Sequence, residues 1–117
     1  MNRRIKIGLI SEEKIRERML AIAKGEYKPK AADPKIWFSS MKLLAEILSD
    51  ENRDLLKLVH ASKPKSISNL ATLAGKNRNT LSRRLRAMSN FGLVEMHKEK
   101  QHIKPIAKAT EFKILVA

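Results

Sequence analysis

Between Gly75 and Val94 the chain reads GKNRNTLSRRLRAMSNFGLV, with four arginines, one lysine, three asparagines and no acidic residue. These side chains have the chemistry of nucleic-acid edges. Arg pairs bidentately with guanine O6/N7, Asn with adenine N6/N7, and Ser or Thr with either kind of edge. A solvated helix face usually mixes signs so that i,i+4 pairs form. With no carboxylate in this stretch, the arginines are expected to need an external anion.

Spacing sorts the residues further. Projected as a helix at about 100° per residue, Leu81, Leu85 and Met88 cluster on one side as a core face. Asn79, Arg83, Arg86 and Asn90 fall opposite, with Thr80 and Ser82 on the shoulders. Arg78 and Arg84 sit nearer the buried edge, where long stems still reach phosphates. The expected base-reading set is therefore Asn79, Ser82, Arg83 and Arg86, with Thr80 beside it. Lys76, Arg78 and Arg84 are expected on phosphates.

Such a helix must be braced. Asn77 is its expected N-cap and Gly92 its stop. Before it, Ser66 and Ile67 read as a very short strand. Ser68 then caps a helix through NLATLA, whose Leu70, Leu73 and Ala74 point inward and which Gly75 ends in a tight turn. Two helices joined by a short glycine turn let the first hold the second in a major groove. The N-termini at Ser68 and Asn77 offer backbone N–H groups to phosphate.

After the helix, LVEMHKEKQHIKPIAKA alternates apolar and polar residues around the tip Glu99–His102 and reads as a hairpin, with Pro105 confining its second strand to an edge. Lys98, Lys100, Gln101, His102 and Lys104 would project from it along a neighbouring backbone or minor groove. TEFKILV reads as a final strand.

Upstream, Arg3–Ile10 reads as a short strand. Ser11 caps a helix whose Ile15, Met19, Ile22 and Ala23 form one apolar stripe, closed by Gly25. The polar stretch with Pro29 and Pro34 reads as an extended linker. Trp37 and Phe38 precede Ser39 and Ser40 in the manner of a hydrophobic staple, with Trp37 as an anchor for the linker. Met41, Leu44, Ala45 and Leu48 face one side of the next helix. Ser49 starts another, in which Leu55, Leu58 and Val59 continue the stripe. Met19, Met41, Met88 and Met96 read as core filler.

Composition sets the outer bounds. At 117 residues, 43% of them apolar, the chain suits one ordinary domain. Formal net charge is +13 and unevenly spread: residues 1–60 hold 13 Lys/Arg against 9 Asp/Glu, and residues 61–117 hold 12 against 3. That asymmetry is the footprint of a polyanion partner. The apolar run in MNRRIKIGLI is too brief for a signal-peptide core, and no run reaches membrane-span length. A cytoplasmic protein with no membrane partner is expected. There is no cysteine, which excludes disulfides, cysteine-ligated zinc and a thiol nucleophile. His60, His97 and His102 share no metal-ligand spacing, so neither metal nor cofactor is expected. His60 reads as a helix C-terminal residue. No nucleophile–base constellation assembles, and no enzyme activity is expected.

The stretch SDENRDLLKLVHASKPKSISNLATLAGKNRNTLSRRLRAMSNFGLVE resembles the core of bacterial and archaeal winged-helix regulators of the MarR and ArsR types. The pattern is S-x-x-x-L-A-x-x-x-G, then a capped helix with T-L-S-R-x-L, then G-L-V-E. The wider frame of IAKGEY, KIWFSSMKLLAEILSDEN and IKPIAKATEF is similar to a family of short prokaryotic DNA-binding regulators, some of whose members sit beside small toxin genes. The resemblance implies a mainly α fold with a small β-hairpin (α+β), a winged helix-turn-helix with an N-terminal strand–helix extension. It puts DNA contacts on Arg78, Asn79, Thr80, Ser82, Arg83 and Arg86 in a helix starting at Asn77. The tip KEKQH is short, which argues against deep minor-groove penetration.

The reading is a sequence-specific regulator of double-stranded DNA. Residues 1–35 form the N-terminal extension and linker, and residues 36–117 the DNA-binding domain. The apolar stripe within Arg3–Lys24 suggests a homodimer interface. The alternative is an antitoxin that neutralises a partner toxin protein and represses its own operon. RNA binding is disfavoured by an aromatic content of only 4%.

Overall fold

The computed structural model describes residues 4–116; Arg3, the expected first residue of the N-terminal strand, lies outside them. The described residues form an α+β fold of five helices and five strands. Strand β1 (Arg4–Leu9) leads into helix α1 (Glu12–Ala23), and β2 (Ile36–Phe38) returns alongside β1. Strand β5 (Glu111–Val116) lies on the other side of β1. All three strands are parallel, in the order β2-β1-β5, with Ile7 opposite Ile36 and Ile114. The tail expected as a strand thus pairs over six residues with the N-terminal strand. The division expected at residues 35/36 falls between strands of this one sheet.

Side-chain size explains the sheet. Ile7, Ile36 and Phe38 are buried on its inner face. On its outer face Trp37 lies over Gly8, where an added Cβ would stand 2.2 Å from Trp37 Cζ3; only a residue without a Cβ admits the indole. Trp37 therefore anchors the end of the connecting segment, as expected, and it does so within a strand. The segment before it is more than an extended linker. Asp33 Oδ2 accepts from the Lys30 backbone N–H at 3.0 Å, the Tyr27 hydroxyl at 2.5 Å and Arg18 Nη2 at 3.2 Å. The Arg18 guanidinium also stacks over the Tyr27 and Trp37 rings, 4.9 and 5.0 Å from their centroids. These contacts hold the Asp33 carboxyl down at about 2, first through the Lys30 N–H, then through Tyr27 and Arg18.

Four further helices follow, each announced by a capping side chain. Ser40 caps α2 (Met41–Ile47) and Ser49 caps α3 (Asp50–Ser62). Ser66 caps α4 (Ile67–Ala74), accepting from the Asn69 N–H at 3.0 Å. The short strand expected at Ser66 and Ile67 is replaced by this helix start. Opening at Ile67 buries that side chain one turn from fully buried Leu70, which a cap at Ser68 would forgo. Gly75, at φ 65°, ends α4 in the left-handed region. Asn77 caps α5 (Arg78–Asn90), its Oδ1 accepting from the N–H groups of Asn79 and Thr80 at 2.8 and 3.2 Å.

The chain then forms an antiparallel hairpin, β3 (Val94–Glu99) and β4 (His102–Ala107), turning at Lys100 and Gln101. Pro105 lies opposite Met96 in this two-stranded sheet, where its missing N–H is tolerated. The core joins Leu55, Leu56 and Val59 of α3, Ile67 and Leu70 of α4, and Leu81, Leu85 and Met88 of α5 to Leu93 and Val94. It runs on to the parallel sheet through Phe38, whose ring stacks on Phe91 at 4.5 Å. Two of the expected core methionines depart from that role: Met19 is 65% exposed and Met41 58%. Met88 is buried as expected. No helix among the described residues is long and apolar enough to cross a membrane.

Candidate nucleic-acid interface

Helix α5 divides as its spacing predicts. Leu81, Leu85 and Met88 are buried, Asn79, Arg83, Arg86 and Asn90 are exposed, and Thr80 and Ser82 are half-buried between the two sets. Among the described residues, the side chains of Lys76, Arg83 and Arg86 have no hydrogen bond or ion pair. Lys76 nevertheless shares a groove with Glu51 and Asp54 of α3, while Arg83 and Arg86 lie outside the lining of that groove.

Two arginines differ. Arg84 reaches back to α3: its Nη2 donates to Glu51 Oε2 at 2.6 Å and its Nη1 to Asn52 Oδ1 at 3.2 Å. Asn52 is buried, and its Nδ2 donates to the carbonyl of Ile47 at the end of α2 at 2.9 Å. Arg84, expected to contact phosphate, is thus engaged in a chain running from α5 through α3 to α2. The expectation that the arginines lack acidic partners holds for Arg83 and Arg86 but not for Arg84, whose acid comes from another helix. Arg78 Nε donates to Ser68 Oγ at 2.9 Å, tying the start of α5 to the first turn of α4. Its guanidinium still has other donors on an exposed side chain.

The hairpin tip carries Lys98, Lys100 and Gln101, all exposed, with Lys100 at φ 34° in the turn. His102 faces Glu99 at 3.6 Å across the tip. Lys104 is half-buried and lines a groove with Val59, His60 and Lys63 at the end of α3, so it stands apart from the tip lysines. At the base, Glu95 meets His97 Nε2 at 2.5 Å and Lys108 Nζ at 3.4 Å, and these bonds lower its pKa in that order. Of the hairpin's two acids, Glu95 is thus offset by Lys108.

Glu51 and Asn52 are the site residues that sequence reasoning missed. One signal was present: Asn52 precedes Leu55, Leu56 and Val59 at helical spacing, which makes it a polar residue at a core position of α3. Among the described residues, no group of three or more His, Cys, Asp or Glu side chains is placed to hold a metal ion.

Helices α3, α4 and α5 with the β3–β4 hairpin, joined to a three-stranded parallel sheet, define a small α+β protein. Residues 47–114 match the HVO_A0114 family, and the chain belongs to that family. The match takes in α3, α4, α5 and the hairpin, and starts after β1, α1 and β2. No curated protein matches the chain.

Proposed function

We propose that the chain is a sequence-specific double-stranded DNA-binding transcriptional regulator of the winged helix-turn-helix class. In this reading α4 braces α5 across the Gly75 turn, α5 enters the major groove, and the β3–β4 hairpin is the wing. The observation that carries it is the outward face of Asn79, Arg83, Arg86 and Asn90, on which neither arginine has an ion pair among the described residues. Asn79, Ser82, Arg83 and Arg86, with Thr80 beside them, read base edges. Asn77 presents the N-terminus of α5, and Lys76, Arg78, Lys98, Lys100 and Gln101 engage the backbone. Arg84 is reassigned from phosphate contact to holding α5 at its angle on α3.

Binding as a homodimer would match a near-palindromic operator, with half-sites about 34 Å apart. The exposed Met19, Leu20 and Ile22 of α1 support a second copy on that helix. The test is selection of bound sequences from a random DNA pool, with solution mass measured on the same sample. A single enriched motif is expected. If a dimer makes about 6 to 10 phosphate contacts, affinity falls by ~10³ to 10⁵ between 50 and 200 mM salt. A flat salt response, or a pool that stays random, refutes the proposal.

A further inference from the structure

Strand β5 ends the parallel sheet, so among the described residues the backbone groups along its outer side meet no further strand. An open edge of this kind templates the addition of another chain, and proteins ordinarily blunt it with charge, proline or a covering element. Here Glu111 and Lys113 charge the first half, but the second half is left apolar: Ile114, Leu115 and Val116 are 44%, 42% and 63% exposed. Below the edge, β5 and α2 enclose a groove of about 800 Å³ whose apolar lining includes Met41, Leu44, Leu48, Phe112 and Ile114. Lys57 and Lys113 stand on its rim, and neither has a carboxylate partner among the described residues. The other two lining cations are already engaged, Arg53 by Asp50 and the Leu48 carbonyl and Arg4 by Glu111, the acid of the lining.

We propose that this edge and groove bind an extended, acidic–apolar segment of a partner protein, which adds to β5 as a fourth strand. Backbone hydrogen bonds supply the affinity, and alternate side chains supply the selectivity. Apolar residues on one side of the segment enter the groove beside Met41 and Ile114, with an acidic residue at the end of that row against Lys57, while acidic residues on the other side run along Lys113. At about 3.3 Å per residue, the six-residue strand spans roughly 20 Å and accepts five or six residues of the partner. Charge selects this occupant over a second copy of the chain. A copy would bring another Lys57 and Lys113 to the same rim, on a protein already at +13.

The experiment uses the full chain, isotopically labelled, and an acetylated, amidated heptapeptide alternating Glu with Val and Ile. Amide shifts and exchange protection are followed by NMR, and affinity by fluorescence anisotropy. The expected result is perturbation concentrated on residues 111–116 and 41–48, with new protection of alternate amides of β5. The double variant Lys57→Glu, Lys113→Glu alters two exposed side chains and leaves the fold intact, and it should bind about fivefold more weakly. The same peptide with Lys in place of Glu should likewise bind about fivefold more weakly or worse. The proposal is overturned if those amides do not respond, or if the two peptides bind equally. It is also overturned if the free protein is a dimer whose β5 amides are already protected, which would assign the edge to a second copy. No DNA enters the assay, so this result stands or falls apart from the proposed regulator function.

Discussion

Arg83 and Arg84 are adjacent in sequence, and replacing each by alanine should have opposite consequences. Arg84 holds Glu51 and Asn52. Its ion pair to Glu51, which is 70% exposed, contributes about 0–1 kcal/mol. The larger loss is at Asn52, whose buried Oδ1 is left without a partner at a cost of about 1–3 kcal/mol. For 117 residues, unfolding entropy near 2.1 cal/mol/K per residue converts each kcal/mol to roughly 4 °C of Tm. Arg84→Ala should therefore lower Tm by about 4–12 °C, and below that Tm base preference should survive. Arg83 is exposed and unpaired, so Arg83→Ala should leave Tm unchanged. It should relax preference at one operator position by about 1–3 kcal/mol. Thermal unfolding by circular dichroism and anisotropy titrations on single-base operator variants read both quantities. The reasoning is refuted if Arg84→Ala keeps its Tm while losing a phosphate contact, seen as a salt slope smaller by about one. It is equally refuted if Arg83→Ala leaves base preference intact.

Asp33 gains its stabilising effect from contacts made by its charged form. Its folded pKa of about 2 lies below the ordinary 3.8, so that contribution is present above pH 4 and lost as pH falls toward 2. The Tm difference between the native chain and Asp33→Asn should shrink over that window, and a constant difference would count against the Asp33 cluster. Gly8→Ala should cost about 1–3 kcal/mol in chemical denaturation because its Cβ meets the Trp37 ring, and an unchanged midpoint would mean the ring moves freely. Leu85→Ala, at a fully buried position of α5, should cost about 2–5 kcal/mol, and a loss below 1 would remove Leu85 from the core.

Much of the fold was legible where the signal was local, although the cap expected at Ser68 stands at Ser66 and Leu73, expected inward, is 51% exposed. Caps at Ser11, Ser49 and Asn77, the stop at Gly75 and the Leu81/Leu85/Met88 stripe each act within a turn or two of helix, and a single sequence carries them. Pairing between distant segments left no such trace. Ile36, Trp37 and Phe38 form a strand only because β1 lies beside them and Gly8 leaves room for the indole. The expected tail strand gave no sign that its partner lies more than one hundred residues earlier. Met19 and Met41 failed as core residues for a related reason. An apolar stripe says that a helix has a face to cover, but not whether this chain supplies the cover.

The basic helix makes the same point about function. Its lack of acids from Gly75 to Val94 suggested that all its cations await an outside anion, and Arg83 and Arg86 indeed make no ion pair among the described residues. For Arg84 the sign rule was sound and its range was too short. The acid stands 33 residues earlier, on a helix packed against α5. A polar residue at a core position is the better guide, because burial without a hydrogen-bond partner is costly enough to require one. Asn52 sits in the stripe of α3, needs a donor for its oxygen, and finds it in Arg84. Counting cations on a helix therefore overstates the reading face. Subtracting the one held by a buried acceptor on a neighbouring helix, Arg84, leaves Lys76, Arg78, Arg83 and Arg86 for the proposed DNA contact, a narrower set that single substitutions can test.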